Sequence, residues 1–380
     1  MGPLAGLRIV EIASIGPGPM VAMMLADMGA EVVRVEKPGA TDIFPLPRQH
    51  DITARSRRSV ALDLKHPLGR AALLSLLPNC DGLIEGFRPG VMERLRLGPE
   101  ACHAVNPRLV FGRMTGFGQS GPLAQSAGHD LNYLSLTGAL HAMGRPGEPP
   151  APPLNMIADY GGGAMFLAFG MVCALLERTK SGLGQVVDAA MLDGTAALTS
   201  LFWSLRAGGL WHEERGANYL DGGAPFYDTY ATSDGGYVAV APLEPKFFAA
   251  LAQAIGLEDH FVLGQYDRNL WPQLRARLTE IFVDKSRDAW RTLLEGTDAC
   301  VTGVLTFAEA PQHPQNVARA TFLTRNGATQ PAPAPRFSRS APEPPCAPAH
   351  PGADTRAILA QAGLSEAEIN ALLAAGAAAE

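Results

Sequence analysis

Leu7-Arg-Ile-Val-Glu-Ile-Ala13, then Ser14-Ile-Gly-Pro-Gly-Pro19, an apolar run over 20–28, and Glu31-Val-Val-Arg-Val-Glu36 open the chain. The stretch reads as strand, turn, helix and strand. β-Branched side chains pack well on a pleated surface, which marks the two strands. Pro19 suits a first helical turn, where its missing N–H is not needed. Gly29 sits where a helix ends. Two strands joined through a helix are parallel, so this unit predicts a mainly parallel sheet with helices on its faces.

The same alternation continues outward. A helix is predicted over 67–77, with short strands at 82–85 and 108–112. A long apolar helix is expected over about 158–179, then a strand at 185–190 and a helix at 193–207. Gly161, Gly162 and Gly163 stand near the start of that long helix. They cost helix propensity, and fit a place where backbone or ligand comes close. Two strands are expected at 226–231 and 237–241, joined through Ser233-Asp234-Gly235-Gly236. Helices follow at about 245–254, 271–282 and 286–295. Eight prolines lie between 330 and 351, predicting an extended segment. Ser365 and Glu368 have capping-box spacing before an Ala-rich helix. The fold class is therefore α/β: a large Rossmann-like domain over 1–215, a smaller α+β domain over 225–320, and a return segment with a helix over 330–380.

The composition agrees. The chain has 380 residues, 47% hydrophobic and 18% charged, with a formal net charge of −6. That length suits two domains, and the apolar fraction suits a packed core rather than disorder. Mild acidity speaks against a nucleic-acid binder. Polar residues break every long apolar run, so no membrane span is expected. The first residues lack the basic flank and apolar stretch of a signal peptide. Five widely spaced cysteines without CxxC spacing fit reduced thiols in a cytoplasmic protein, with neither a disulfide framework nor a metal site. Cys173, in an apolar helical run, reads as packing.

Gly16-Pro-Gly18 begins like a dinucleotide fingerprint, and Glu36 ends the second strand where a ribose-binding acid belongs. Val21 replaces the third glycine, however, and two prolines remove N–H groups that would cradle a pyrophosphate. A Rossmann-like fold without the dinucleotide fits better. Lys37, Arg55, Arg57, Arg58, Lys65, Arg88 and Arg94 lie in or near loops that follow strands. They suit a polyphosphate, and equally a solvated surface. His129 in Gly128-His-Asp-Leu-Asn-Tyr133, Asp159 in Asn155-Met-Ile-Ala-Asp-Tyr160, and Glu244 after a strand are candidates for proton chemistry. Each alone also fits a structural role such as a helix cap.

Taken together, the motifs are less anonymous. Pro3-Leu-Ala-Gly-Leu-Arg-Ile-Val-Glu11, Gly16-Pro-Gly-Pro19, Met28-Gly-Ala-Glu-Val-Val-Arg-Val-Glu-Lys-Pro38, Asp63-Leu-Lys65, Phe87-Arg-Pro-Gly90, Gly116-Phe-Gly118 and Gly182-Leu-Gly-Gln-Val-Val-Asp188 resemble the family III CoA-transferase superfamily, in the family's order, from residue 3 to about 340. Gly128-His-Asp130 is similar to its α-methylacyl-CoA racemase branch, as are Gly222-Gly-Ala-Pro-Phe-Tyr-Asp228 and Glu244.

This resemblance implies an isomerase that inverts C2 of 2-methylacyl-CoA thioesters through an enolate. It implies His129 and Asp159 as the two bases, acting on the S- and R-epimer respectively, with Glu244 orienting His129. The alternative within the superfamily is a CoA-transferase with Asp159 as acyl-accepting nucleophile. The CoA site implied is Lys37, Leu62, Asp63, Leu64, Lys65, Gly86, Phe87, Arg88, Arg94, Gly128, Asp130, Leu131, Asn132 and Tyr133, with Arg55 as a further phosphate candidate. Gly161 and Gly162 are expected to offer N–H groups to the enolate oxygen, and Met156 and Met165 to lie under the acyl chain. No metal or other cofactor is implied, since CoA belongs to the substrate. The resemblance also implies an interlocked homodimer, with no nucleic acid or membrane partner.

Overall fold

A computed structural model describes residues 1–39, 46–325 and 327–380. The chain divides into two compact units. Unit 1 comprises Met1–Thr137, Leu154–Thr199 and Ala318–Glu380; unit 2 comprises Gly138–Pro153 and Ser200–Val317.

Unit 1 begins with β1 (Arg8–Ile12), α1 (Pro17–Asp27), β2 (Glu31–Glu36) and β3 (Arg57–Leu62). Next come α2 (Pro67–Leu76), β4 (Gly82–Glu85), α3 (Val91–Arg94), α4 (Pro99–Val105), β5 (Val110–Thr115) and α5 (Asp130–Ser135). A π-helical segment, Met156–Ala164, leads into α6 (Met165–Ser181), β6 (Val186–Ala190) and α7 (Met191–Leu198). Strands β3-β2-β1-β4-β5-β6 form one parallel sheet. The order reverses at β1, and a crevice outside the strand ends at such a point is where open α/β sheets take ligands.

Unit 2 holds α8 (Ser200–Ala207), the antiparallel strands β7 (Asp228–Ala231), β8 (Tyr237–Val240) and, later, β9 (Val301–Gly303), with α9 (Pro245–Ile255), α10 (Asp259–Leu263), α11 (Trp271–Phe282) and α12 (Arg287–Leu294). Phe226, Phe248, Phe282 and Trp290 are fully buried at its centre. Helix α13 (Pro314–Ala318) ends the excursion. The chain then makes the hairpin β10 (Phe322–Arg325) and β11 (Ala328–Pro331), followed by α14 (Thr355–Gln361), α15 (Glu366–Ala374) and β12 (Ala378–Ala379). Strand β12 pairs antiparallel with β3 and completes a seven-stranded sheet. Ser365 and Glu368 cap α15 reciprocally.

Several expectations are corrected. The helix expected over 193–207 is two helices that belong to different units, because the chain leaves the large sheet after Thr199. The small unit therefore starts earlier than 225 and recruits residues 138–153, which no composition shift marks. Met156–Ser181 is long and apolar enough to cross a membrane by length and composition alone, with a mean hydropathy of 1.5. The expectation that no such run exists was wrong, since one or two charges do not interrupt an 18-residue window. Part of this helix lies on β5 and β6, burying Leu167, Met171 and Leu175. Cys173, expected in the core, is exposed.

The basic cluster at 55–58 is the largest surprise. Arg57 and Arg58 lie in β3, and Arg57 is buried. Glu11 accepts from Arg34 Nη1 at 2.9 Å through one oxygen and from Arg57 Nη1 at 2.6 Å through the other. Glu36 accepts from Arg34 Nε at 3.1 Å, from Arg48 Nη2 at 3.2 Å and from Ser59 Oγ at 2.5 Å. Register places Glu11, Arg34 and Ser59 side by side on three neighbouring strands. Glu36 is thus committed to arginines and is no ribose-binding acid.

Removing one partner of a buried ion pair leaves the other charge uncompensated. Glu11→Ala strands two buried guanidinium groups and should cost about 3–5 kcal/mol. Lys37→Ala, at an exposed site, should stay within about 0.5 kcal/mol. Urea unfolding of both variants measures this, and equal midpoints would refute the role given to Glu11.

Candidate active site

The carboxyl ends of β1, β4 and β5, the loop before α5 and the π segment surround a cavity of about 1020 Å³ within unit 1. The turn after β1 contributes residues 14–17, the loop after β4 contributes 86–89, and the end of β5 contributes 114–117. His129, Asp130, Tyr133, Asn155, Asp159 and Tyr160 complete one wall.

His129 directly precedes α5 in an extended conformation, with φ −132° and ψ 177°. Its backbone N–H donates to Asn132 Oδ1 at 3.1 Å, and Asn132 N–H donates back to its carbonyl at 2.8 Å. This exchange fixes the backbone that presents the imidazole. Tyr133 Oη donates to the Gly128 carbonyl, and its ring meets Phe117 edge-on at 4.9 Å. Burial pushes the Tyr133 phenol up to about 12, with the Asp159 charge adding to it.

Asp159 lies in the π segment. Such segments are rare and cluster at functional sites. Its carboxylate accepts from Asn155 Nδ2 at 3.2 Å. Gly16, at φ +70°, closes the other side; a Cβ there would lie 3.3 Å from Asp159 Oδ2. Burial raises the Asp159 carboxyl above its ordinary range, the Asn155 hydrogen bond opposes this, the Asp130 charge adds to it, and His129 opposes it. The site thus sets an imidazole and a partly desolvated carboxyl beside one cavity, an arrangement suited to moving protons.

Of the residues expected from sequence, Gly86, Phe87, Arg88, Gly128, His129, Asp130, Tyr133 and Asp159 meet here. Others do not line the cavity. Arg55 is buried, with Nε and Nη2 on Asp27 at 3.0 and 2.5 Å and Nη1 on Gln330 and the Pro331 carbonyl. It is a structural cation, which corrects its assignment to phosphate. Leu62 is a core residue paired with Ala378. Asp63 caps its own turn through Lys65 N–H, and its N–H is taken by Ala377. Leu64 packs against the core, while Lys37, Lys65, Arg94, Leu131 and Asn132 are exposed outside the cavity lining.

Met156 and Met165 are exposed, and neither lines the cavity; Met114 and Met191 do. Gly161 and Gly162 are absent from its lining. Gly162 is small for another reason: a Cβ there would fall 2.4 Å from Thr195 Oγ1 and 2.6 Å from the Thr195 backbone nitrogen of α7. The expected enolate contact at these two glycines is therefore dropped. Glu244 is exposed at the head of α9 in unit 2 and makes no capping hydrogen bond. Among the described residues no cluster of three or more His, Cys, Asp or Glu is placed to hold a metal ion.

Sequence reasoning missed Arg34, His50, Asp51, Asn155 and Tyr160 as cavity residues. Asn155 had a signal, since it stands four residues before Asp159. Arg34 had a weaker one, as a cation inside an apolar strand.

Comparison with known proteins follows the same line. CoA-transferase family III matches residues 4–355. The chain is similar to the mouse protein named alpha-methylacyl-CoA racemase, at 47% identity over 369 residues, covering 96% of this chain and 95% of the mouse one. The human protein of that name is 44% identical over 371 residues, covering 96% and 95% respectively. A crystal structure of a CAIB/BAIF family protein from Brucella suis aligns with a TM-score of 0.79 and 26% identity, covering 95% of this chain and 99% of that one.

The raised Asp159 carboxyl has a consequence for stability. A folded-state value above the unfolded one favours folding below the unfolded value, and that contribution is lost as pH rises through the folded value. Asp159→Asn should therefore raise the melting temperature relative to the parent at pH 7, with the gain shrinking as pH falls through the carboxylate range. A pH series of thermal unfolding curves checks this, and a pH-independent difference would contradict the burial cause.

Proposed function

The chain belongs to CoA-transferase family III, and from that premise we propose that it is an α-methylacyl-CoA racemase. It inverts C2 of 2-methylacyl-CoA thioesters. The observation that carries this reading is the pairing of His129 and Asp159 in the lining of one cavity. The extent of the likeness to two proteins named for that activity supports it.

The chemistry follows from the thioester. Its carbonyl acidifies the α-hydrogen. One base takes that proton, the C2–H electron pair moves into the carbonyl, and an enolate forms. The other base then delivers a proton to the opposite face, and the carbonyl re-forms with C2 inverted. Each group is base in one direction and acid in the other. His129 takes the proton from the S-epimer and Asp159 from the R-epimer. A carboxyl lifted by burial is better matched to such two-way exchange than an ordinary one. Proton transfer of this kind calls for no metal or redox group, and CoA arrives as part of the substrate.

Arg88, in the cavity lining after β4 with Gly86 and Phe87, is the cation proposed to meet the CoA phosphates. Lys37 and Lys65 are exposed cations that can extend this surface. By the resemblance, Glu244 is the acid proposed to orient His129, as a third member orients a base.

The functional protein is a homodimer. What supports this is the outer face of α6. Met165, Phe169, Val172 and Leu176 are exposed by 51%, 70%, 38% and 63% and follow each other at helical spacing. A contiguous apolar face of this kind marks an interaction surface.

Two measurements test these points. Incubated in D2O with an (S)-2-methylacyl-CoA and no free acid, the protein should incorporate deuterium at C2 while the epimers approach a mixture. His129→Ala and Asp159→Ala should each slow this on the order of 10²–10⁴-fold. Absence of exchange, with CoA transfer once a carboxylic acid is supplied, would overturn the racemase in favour of a transferase with Asp159 as nucleophile. For the assembly, Phe169→Asp with Leu176→Asp should convert a sedimenting dimer to monomer; an unchanged sedimentation coefficient refutes the surface.

A further inference from the structure

Asp130 follows His129 and is the first residue of α5. It is only 5% exposed. Its carboxylate does not cap its own helix. Oδ2 instead accepts two hydrogen bonds from the π segment, from the N–H of Ala158 and the N–H of Asp159, each at 2.8 Å. N–H groups in the first turn of a helix lack intrahelical partners, and here one oxygen serves two of them. The other oxygen, Oδ1, is buried and has no partner among the described residues. No cation pairs with this carboxylate in the described contacts, so its charge stays close to Asp159.

We infer that Asp130 is a positioning residue for the proton-transfer pair: its side chain ties the backbone of Asp159 to the residue adjoining His129, and thereby sets the separation of the two bases and the field on Asp159. This rests on the two-base reading above and gives Asp130 a role other than contact with CoA. The tie spans 29 residues of chain, including the stretch that leaves unit 1 at Gly138 and returns at Leu154. The chain between them therefore cannot fix the spacing, and a direct cross-link is needed. Misplacing a reacting group by an ångström is enough to cost much of the rate.

The charged groups acting on Asp159 are Asp130 and His129, in and beside α5, while Asn155 donates a hydrogen bond to it from the start of its own segment. Helices α1 and α7 also pack on the π segment and add no charge to those acting on it. The charge of Asp130 is the one that opposes ionisation of Asp159, so its removal should let Asp159 ionise at lower pH.

The test uses Asp130→Asn, Asp130→Glu and the parent. Steady-state kinetics is run in both epimer directions across pH. Asp159 ionisation is followed separately by infrared difference spectra of each protein against its Asp159→Asn counterpart. Asp130→Asn keeps an acceptor but no charge. It should lower kcat with KM held within about twofold, and the Asp159 titration should move to lower pH. Asp130→Glu keeps the charge on a longer arm that cannot hold both N–H groups at the same place. It should lower kcat by about 10²-fold while the Asp159 titration stays high, and it carries the test alone if the Asn variant does not fold. A loss confined to KM would make Asp130 a substrate contact and overturn the inference. So would an Asp159 titration that ignores Asp130→Asn, or a Glu variant with parental kcat. A parent inert in the exchange assay would defeat the racemase reading, and the infrared titrations would still decide the field that Asp130 exerts.

Discussion

One buried carboxylate holds the N-terminal half of the large sheet together. Glu11 is fully buried and shares its two oxygens between Arg34 and Arg57, so β1, β2 and β3 are joined through side chains as well as through their ladders. Glu36 repeats the pattern with Arg34, Arg48 and Ser59. Desolvating so many charges is expensive unless each is met. The result is a polar seam across β1, β2 and β3, with a further buried pair, Glu85 and Arg113, on β4 and β5. Arg34 also lines the cavity, so the seam that fixes the strands also forms part of the cavity wall.

The π segment is the second constraint. A continuous α-helix from Met156 would bring a different set of side chains toward the cavity. The wider π turn, pressed against α7 where Gly162 meets Gly194, sets where Asp159 lies. Gly16 leaves room for its carboxylate, Asn155 donates to it, and Asp130 holds its N–H. Three short-range contacts, from Gly16, Asn155 and Asp130, thus define one carboxyl. Its reluctance to ionise is a product of that enclosure and not of the residue type.

The reach of sequence reasoning can be judged from particular residues. The strand-turn-helix-strand opening was legible, because β-branched alternation and a Gly/Pro turn are local signals. His129 and Asp159 were legible only through resemblance; taken alone, each reads as a helix cap. Arg55, Arg57 and Arg58 misled the reading for a physical reason. Arginine is usually solvated, and a one-dimensional string does not show Asp27 and Glu11 waiting across the fold. The glycines at 161–163 were read correctly as a place of close approach, but the approaching group is α7 and not a ligand.

By itself, then, the sequence determined the elements and their alternation, hence a parallel α/β sheet, a second α+β unit and the family, and through resemblance it named His129 and Asp159 as candidates. These follow from local periodicity and from motifs that survive without coordinates. Only the tertiary structure decided which cations are spent inside the sheet and which face the cavity, that residues 138–153 leave the large unit, and that Asp130 reaches 29 positions along the chain to hold Asp159. Burial and hydrogen bonding between distant segments decide such matters, and neither has a local signature in the chain.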